Sequence, residues 1–361
     1  IGTAVLMLML MLAAKASGVV APLLWAVIGL VLLASFSLFI HEAGHIVAAR
    51  MAGMHPLEMW LGPVRLLRRR RGWRAVSAPP GESMFMAIAY PSSARGLRNQ
   101  LAAFTLGGPL ANLVVAAFLS TAALLVSGIA GDVMLGVAAF NAGLGLANLM
   151  PFKARLSSDG LLLLDLLTGV DEGSPEWAFA RLNGMSLEGV TADRLPADLV
   201  ERLADADAPM PLIHLWFRLK ALQNQGQWAE AVALGPVLEA CAASLPEALQ
   251  SAMADLVAQL RTEIGFSSAM LGQRPEAPLD AAITRLVDQM APMLRPRCLA
   301  LQAILDGQHG DARTHIAQAR VLAEDSVDAA LRTSECMIHE ALEARLDGTP
   351  PTRDHLPGAP L

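Results

Sequence analysis

Charge is scarce in this chain of 361 residues. Asp, Glu, Lys and Arg make up 17% of it, against about a quarter in soluble domains. Acidic residues are scarcest in the first half. Residues 1–170 hold six of them against twelve Lys and Arg, whereas residues 171–361 hold twenty-seven against fifteen. Between Gly18 and Ile40 there is no charged residue at all. A wholly soluble chain is thereby excluded, and an apolar, basic part is joined to an acidic part of ordinary composition. Cysteine is nearly missing too. Cys241, Cys298 and Cys336 are odd in number, show no CxxC spacing and all lie in the second half. That excludes a disulfide framework and suits free thiols in a reducing compartment.

What is present is long apolar runs. Residues 18–40 suffice to cross a hydrocarbon core, and the helix is expected to continue through "HEAGHIVAARMAG". Two further runs, 101–126 and 133–152, are separated by "SGIAGD" and predict an antiparallel pair. Residues 1–14 are read as another transmembrane helix, since no basic stretch precedes them as in a signal peptide. "LLLLDLL" at 161–167 is too short to span and reads as a surface helix.

The segment from Arg50 to Arg98 holds nine arginines and only Glu58 and Glu82 as acids. The positive-inside rule puts it in the cytoplasm. Its position between membrane segments argues against a nucleic-acid patch. "LEMWLGPVRLL" and "GWRAVS" flank the arginine run like hairpin arms, and "SMFMAIAYP" could add a strand. The fold class expected is an all-α polytopic membrane protein with a short membrane-associated β-hairpin region and a C-terminal soluble α-helical domain. The divisions are 1–170 for the membrane part, 171–345 for a cytoplasmic helical domain and 346–361 for a disordered tail. Gly226 with Ala231, and Gly307 with Ala312, share a spacing that loosely resembles tetratricopeptide hairpins.

The chemistry is concentrated in "HEAGH". On a helix, residues four apart share a face, so His41 and His45 can aim at one metal ion. Glu42 stands beside them, suited to serve as general base. Ionisable groups next to so apolar a run are costly without a function. A catalytic zinc takes a third protein ligand and leaves one position open. The membrane half offers Glu58, Glu82, Asp132, Asp159, Asp165 and His55. The orientation above places Asp132 on the opposite side, and Asp159 follows the inner end of the last span.

"HEAGH", "GGPLAN" and "NLMP…SDG" occur in that order, each on or beside a different apolar segment. Together they resemble the site-2 protease family of intramembrane zinc metalloproteases. The resemblance covers roughly residues 18–168. It implies a three-helix core in which His41, His45 and Asp159 hold Zn2+ and Glu42 is the catalytic base. Gly108, Pro109 and Asn112 match the second motif, and Asn148, Pro151 and Gly160 belong to the third. Asn112 and Asn148 would contact substrate or a developing oxyanion, and Asn141 could also face the site. One departure stands out: seven residues separate Pro151 from Asp159, where about four are common in the family. The implied substrates are transmembrane proteins or signal-peptide remnants in a lipid bilayer, with a bacterial inner membrane as the location. A cytoplasmic protein partner is expected through 171–345, and no nucleic acid. The alternative reading is a catalytically silent membrane adaptor.

Overall fold

The computed structural model describes residues 20–78, 84–92, 96–153, 157–169 and 171–348. The helix expected at 1–14 and most of the expected tail lie outside these residues. Helix α1 covers Val20–Ala52 in one piece, so the apolar run and "HEAGH" share a single rod about 50 Å long. Helices α2 (Leu97–Ala123) and α3 (Ile129–Leu149) pack beside it. Val27–Ala52, Leu97–Ala123 and Ile129–Leu149 are each long and apolar enough to cross a membrane. Their outward side chains are those a lipid phase accepts, among them Trp25, Leu32, Val114, Phe118 and Val133.

Small residues let the rods approach closely. A Cβ on Gly44 would stand 2.4 Å from the Gly107 carbonyl oxygen, and one on Gly107 would stand 2.5 Å from Ala48 Cβ. Only glycine permits this crossing of α1 over α2, a common means of association where no hydrophobic drive acts between helices.

Between α1 and α2 the chain builds more than a hairpin. Strands β1 (His55–Gly62), β2 (Val64–Arg69), β3 (Gly72–Ser77) and β4 (Met84–Tyr90) form one antiparallel sheet, in the order β3-β2-β1-β4. Local turns join β1 to β2 and β2 to β3. Strand β4 returns to the far side of β1, pairing Met59 with Ala87 and Leu61 with Phe85. It is therefore an end strand, and it packs against α1. The sheet carries a buried ion pair: Arg65 Nη2 donates to Glu58 Oε2 at 2.9 Å, and Trp60 Nε1 donates to the same oxygen at 3.0 Å.

Helix α4 (Asp159–Thr168) confirms a short helix after the last apolar run. Ten further α-helices follow among the described residues: α5 (Pro175–Leu187), α6 (Ala197–Glu201), α7 (Met210–Asn224), α8 (Trp228–Ala233), α9 (Gly235–Ala243), α10 (Glu247–Met270), α11 (Arg285–Met290), α12 (Leu294–Leu305), α13 (His309–Glu324) and α14 (Ala329–Leu346). The shared Gly–Ala spacing has a local cause. Gly226 and Gly307 sit between two helices at φ of 68° and 74°, where a side chain is strained. Ala231 and Ala312 are fully buried in the helices that follow. Helix α8 has only six residues against sixteen in α13, so the two units are not equal repeats.

The helical region has an ionic centre. Lys220 Nζ donates to Glu263 Oε1 at 2.6 Å, and Arg297 bridges Glu263 and Glu335, all four side chains being buried. It also grips the sheet. Arg69 donates to the Gln289 carbonyl, Arg285 to Ser77 Oγ, and the Arg70 backbone N–H to the Asp325 carbonyl at 2.8 Å.

Candidate metal centre

His41, Glu42 and His45 are all buried on α1. Ser37 lies one turn before His41, so Ser37, His41 and His45 form one stripe along the helix. Asp159 enters from the first turn of α4. His41 Nε2 is 3.0 Å from Asp159 Oδ2, His45 Nε2 is 3.6 Å from the same oxygen, and the two Nε2 atoms are 3.2 Å apart. Tetrahedral ligands at bond lengths of about 2.0–2.1 Å have donor atoms about 3.3 Å apart. The three atoms therefore already have the spacing of three ligands around one small divalent ion.

The donor chemistry agrees. His41 Nδ1 lies 2.8 Å from Asn112 Oδ1, and His45 Nδ1 lies 2.7 Å from the Phe104 carbonyl oxygen. Both acceptors are oxygens, so each ring donates its Nδ1–H and each Nε2 keeps a lone pair. Two lone pairs and a carboxylate oxygen then face one another, an arrangement that a cation relieves. Space is left for one. A Cβ on Gly108 would fall 2.4 Å from His45 Nε2 and 2.7 Å from His41 Nε2. The "GGP" motif thus clears the flank of the site, and Pro109 opens the same turn of α2 by lacking an N–H and crowding the carbonyl four residues back.

The long connection before Asp159 is absorbed locally. Ser158 Oγ donates to the Met150 carbonyl at 2.7 Å and accepts from the Phe152 N–H at 3.1 Å, while Lys153 pairs with Ser157. The two described ends of the connection are thereby held together. Ser158 also caps α4, accepting from the Leu161 N–H at 3.2 Å. A Cβ on Gly160 would stand 2.0 Å from the Leu149 carbonyl oxygen, so glycine alone lets α4 start against the end of α3.

The two asparagines expected at the substrate are engaged by the protein itself in this structure. Asn112 is fully buried and has no amide hydrogen to spare. Its Nδ2 donates to the Ser37 carbonyl at 3.0 Å and to Asn141 Oδ1 at 2.8 Å, while its oxygen accepts from His41. Contact with an oxyanion would require breaking one of these bonds. Asn148 Nδ2 donates back to the Leu144 carbonyl within its own helix. Pro151 is exposed just past the end of α3. Ser37 and the Phe104 carbonyl had no signature in the motifs; for Ser37 the available signal is its four-residue spacing before His41. The end strand β4 packs along α1 and brings the Ala87 backbone near the Glu42 carboxylate.

The sequence model of peptidase family M50 matches residues 28–290. The chain belongs to peptidase family M50. This is the site-2 protease family that the three motifs resemble. The match takes in the spans, the sheet and the helical region as far as Met290, the last residue of α11. No curated protein and no solved structure matches the chain.

Proposed function

We propose that this M50 peptidase is a zinc-dependent intramembrane endopeptidase that cuts transmembrane segments or signal-peptide remnants. The observation that carries this reading is the convergence of His41, His45 and Asp159 beside buried Glu42, on a helix apolar enough to span a membrane. Held by His41, His45 and Asp159, zinc would polarise the scissile carbonyl and would make water acidic enough to be deprotonated near neutral pH. Glu42 receives that proton and delivers it to the departing amine nitrogen. The buried surroundings of the carboxylate exclude bulk water from this transfer.

A transmembrane substrate must be extended before its peptide bonds become accessible. Strand β4 suits that task because it ends the sheet and packs beside α1, the helix that carries Glu42. A substrate strand added there gains main-chain hydrogen bonds without demanding one sequence. The arginine-rich sheet and the acidic helical region would face the cytoplasm, in a bacterial inner membrane, with the helical region receiving a protein partner.

The test uses the full chain purified in detergent, with Glu42→Gln and Asp159→Ala variants. Bound zinc is quantified, and each protein is incubated with labelled transmembrane peptides. The expected result is one zinc per chain in the parent and in Glu42→Gln, little in Asp159→Ala, and cleavage by the parent alone. Cleavage by Glu42→Gln at the parent rate would remove Glu42 as the base. Zinc without cleavage of any peptide would favour the adaptor reading.

A further inference from the structure

We propose that Asn112 and Asn141 are positioning residues that hold His41 in its Nδ1–H tautomer, with the Nε2 lone pair turned toward the metal. The inference rests on the metal reading above and deepens it. It begins at a group that cannot change its role, the backbone carbonyl of Val137 on α3. Asn141 Nδ2 lies 2.9 Å from that oxygen and 3.0 Å from Ser37 Oγ. A backbone carbonyl only accepts, so the Asn141 amide must turn its nitrogen that way. Its oxygen then faces Asn112 at 2.8 Å. Asn112 must answer with its nitrogen, a choice the Ser37 carbonyl enforces independently at 3.0 Å. The Asn112 oxygen is left facing His41 Nδ1 at 2.8 Å, and that nitrogen has to carry the proton. Each link admits one orientation. A backbone oxygen on α3 therefore dictates, through two amides, which nitrogen of a histidine on α1 is basic.

Burial gives the relay its force. Ser37, Asn112 and Asn141 are all fully buried between three apolar helices. No water competes for these bonds, and an amide flipped the wrong way would set oxygen against oxygen at under 3 Å. An outer partner on the non-ligating nitrogen of a metal-binding histidine is worth about ten- to a hundredfold in metal affinity. Asparagines that merely glued helices together would need no defined direction of donation. His45 takes its own partner from the Phe104 carbonyl, so only His41 depends on side chains for its tautomer.

The experiment measures zinc affinity by chelator competition, the visible absorption of the Co2+-loaded protein, and the melting temperature of the metal-free protein. The chains are the parent, Asn112→Leu, Asn112→Asp and Asn141→Leu. Leucine nearly keeps the volume and removes the acceptor; aspartate keeps an oxygen for His41 and, protonated in this buried setting, donates one hydrogen toward Asn141 and Ser37 in place of two. Asn112→Leu is expected to bind zinc ten- to a hundredfold more weakly and to change the Co2+ spectrum. Asn112→Asp is expected to recover most of that affinity although it is no better packed, and Asn141→Leu to show a smaller loss. Parent-like affinity and spectrum in Asn112→Leu would overturn the proposal. So would an Asn112→Asp protein as weak as Asn112→Leu, since helix packing alone would then account for the loss. A parent protein that binds no zinc overturns the metal reading itself, an outcome distinct from both.

Discussion

Gly108 of α2 lies directly against His45 of α1, and a single added methyl group would stand 2.4 Å from the imidazole Nε2. The neighbour is the far end of a side chain, so the ring can turn away, but only by leaving the metal position. Gly108→Ala is therefore expected to keep the three spans and to lose zinc at least tenfold. Zinc titration of the detergent-solubilised protein measures this; affinity equal to the parent would show that the flank has room to spare.

Gly44→Leu acts on the same crossing by another route. Its side chain would run into the Gly107 carbonyl and Ala111, which are backbone and a short side chain with nowhere to go. The expected outcome is separation of α1 from α2. Cysteines placed on the two helices should then cross-link in the parent and fail to do so in the variant.

Ser158→Ala removes three hydrogen bonds that fold the connection back before Asp159, including the cap of α4. A lost cap costs about 1 kcal/mol. The variant should still bind zinc, more weakly than the parent, and should be cut faster by protease between 150 and 158. An unchanged digestion rate would show that the loop is held by other contacts.

In the helical region, Arg297→Met strands Glu335 and leaves Glu263 with Lys220 alone. Breaking a buried pair in this way costs about 3–5 kcal/mol. Arg261→Ala removes a pair with Glu239 in which both side chains are about half exposed, and such pairs are worth about 0–1 kcal/mol. Chemical unfolding of the two variants should differ accordingly, and equal midpoints would contradict the burial argument.

His339 supplies the pH dependence. Burial, aided by the nearby Arg297 and Arg320 charges, pushes its imidazole down to about 4. An unfolded histidine protonates near 6.5. Between these values the unfolded chain binds more protons, so this stability is complete above about pH 6.5 and is lost as pH falls toward 4. Glu263 follows in a lower window. Burial alone would raise its pKa, but Arg297 and Lys220 hold it at about 2, so its stabilisation fades from about pH 4.5 downward. Heat denaturation followed by circular dichroism should show the melting temperature falling from pH 7 to 4.5, and His339→Gln should flatten that fall.

The sequence exposed the parts of this molecule that local rules govern. The spans follow from uncharged length, and His41, Glu42 and His45 follow from helical spacing. Asp159 was legible because few acids compete with it in the membrane half. The fourth strand was legible as a candidate at "SMFMAIAYP", but its partner was not, because its pairing with β1 crosses the whole arginine hairpin. The grip of Arg69, Arg70 and Arg285 across sheet and helices joins residues more than 200 positions apart, and nothing in the composition announces it. Asn112 was found by its motif, but its bonds to His41, Ser37 and Asn141 were not, because a motif names a residue type and leaves open which way its amide points.

The nitrogen lone pairs of His41 and His45 and the Asp159 carboxylate meet from α1 and α4, and their supports come from α2 and α3. One ion at that point is a fastener shared by four helices. By mass action, each tenfold rise in free metal above its dissociation constant adds about 1.4 kcal/mol to the stability of the bundle. On the proposed reading, chelation is expected to loosen the scaffold as well as to silence the chemistry, so that the melting curve of the membrane part becomes a metal gauge.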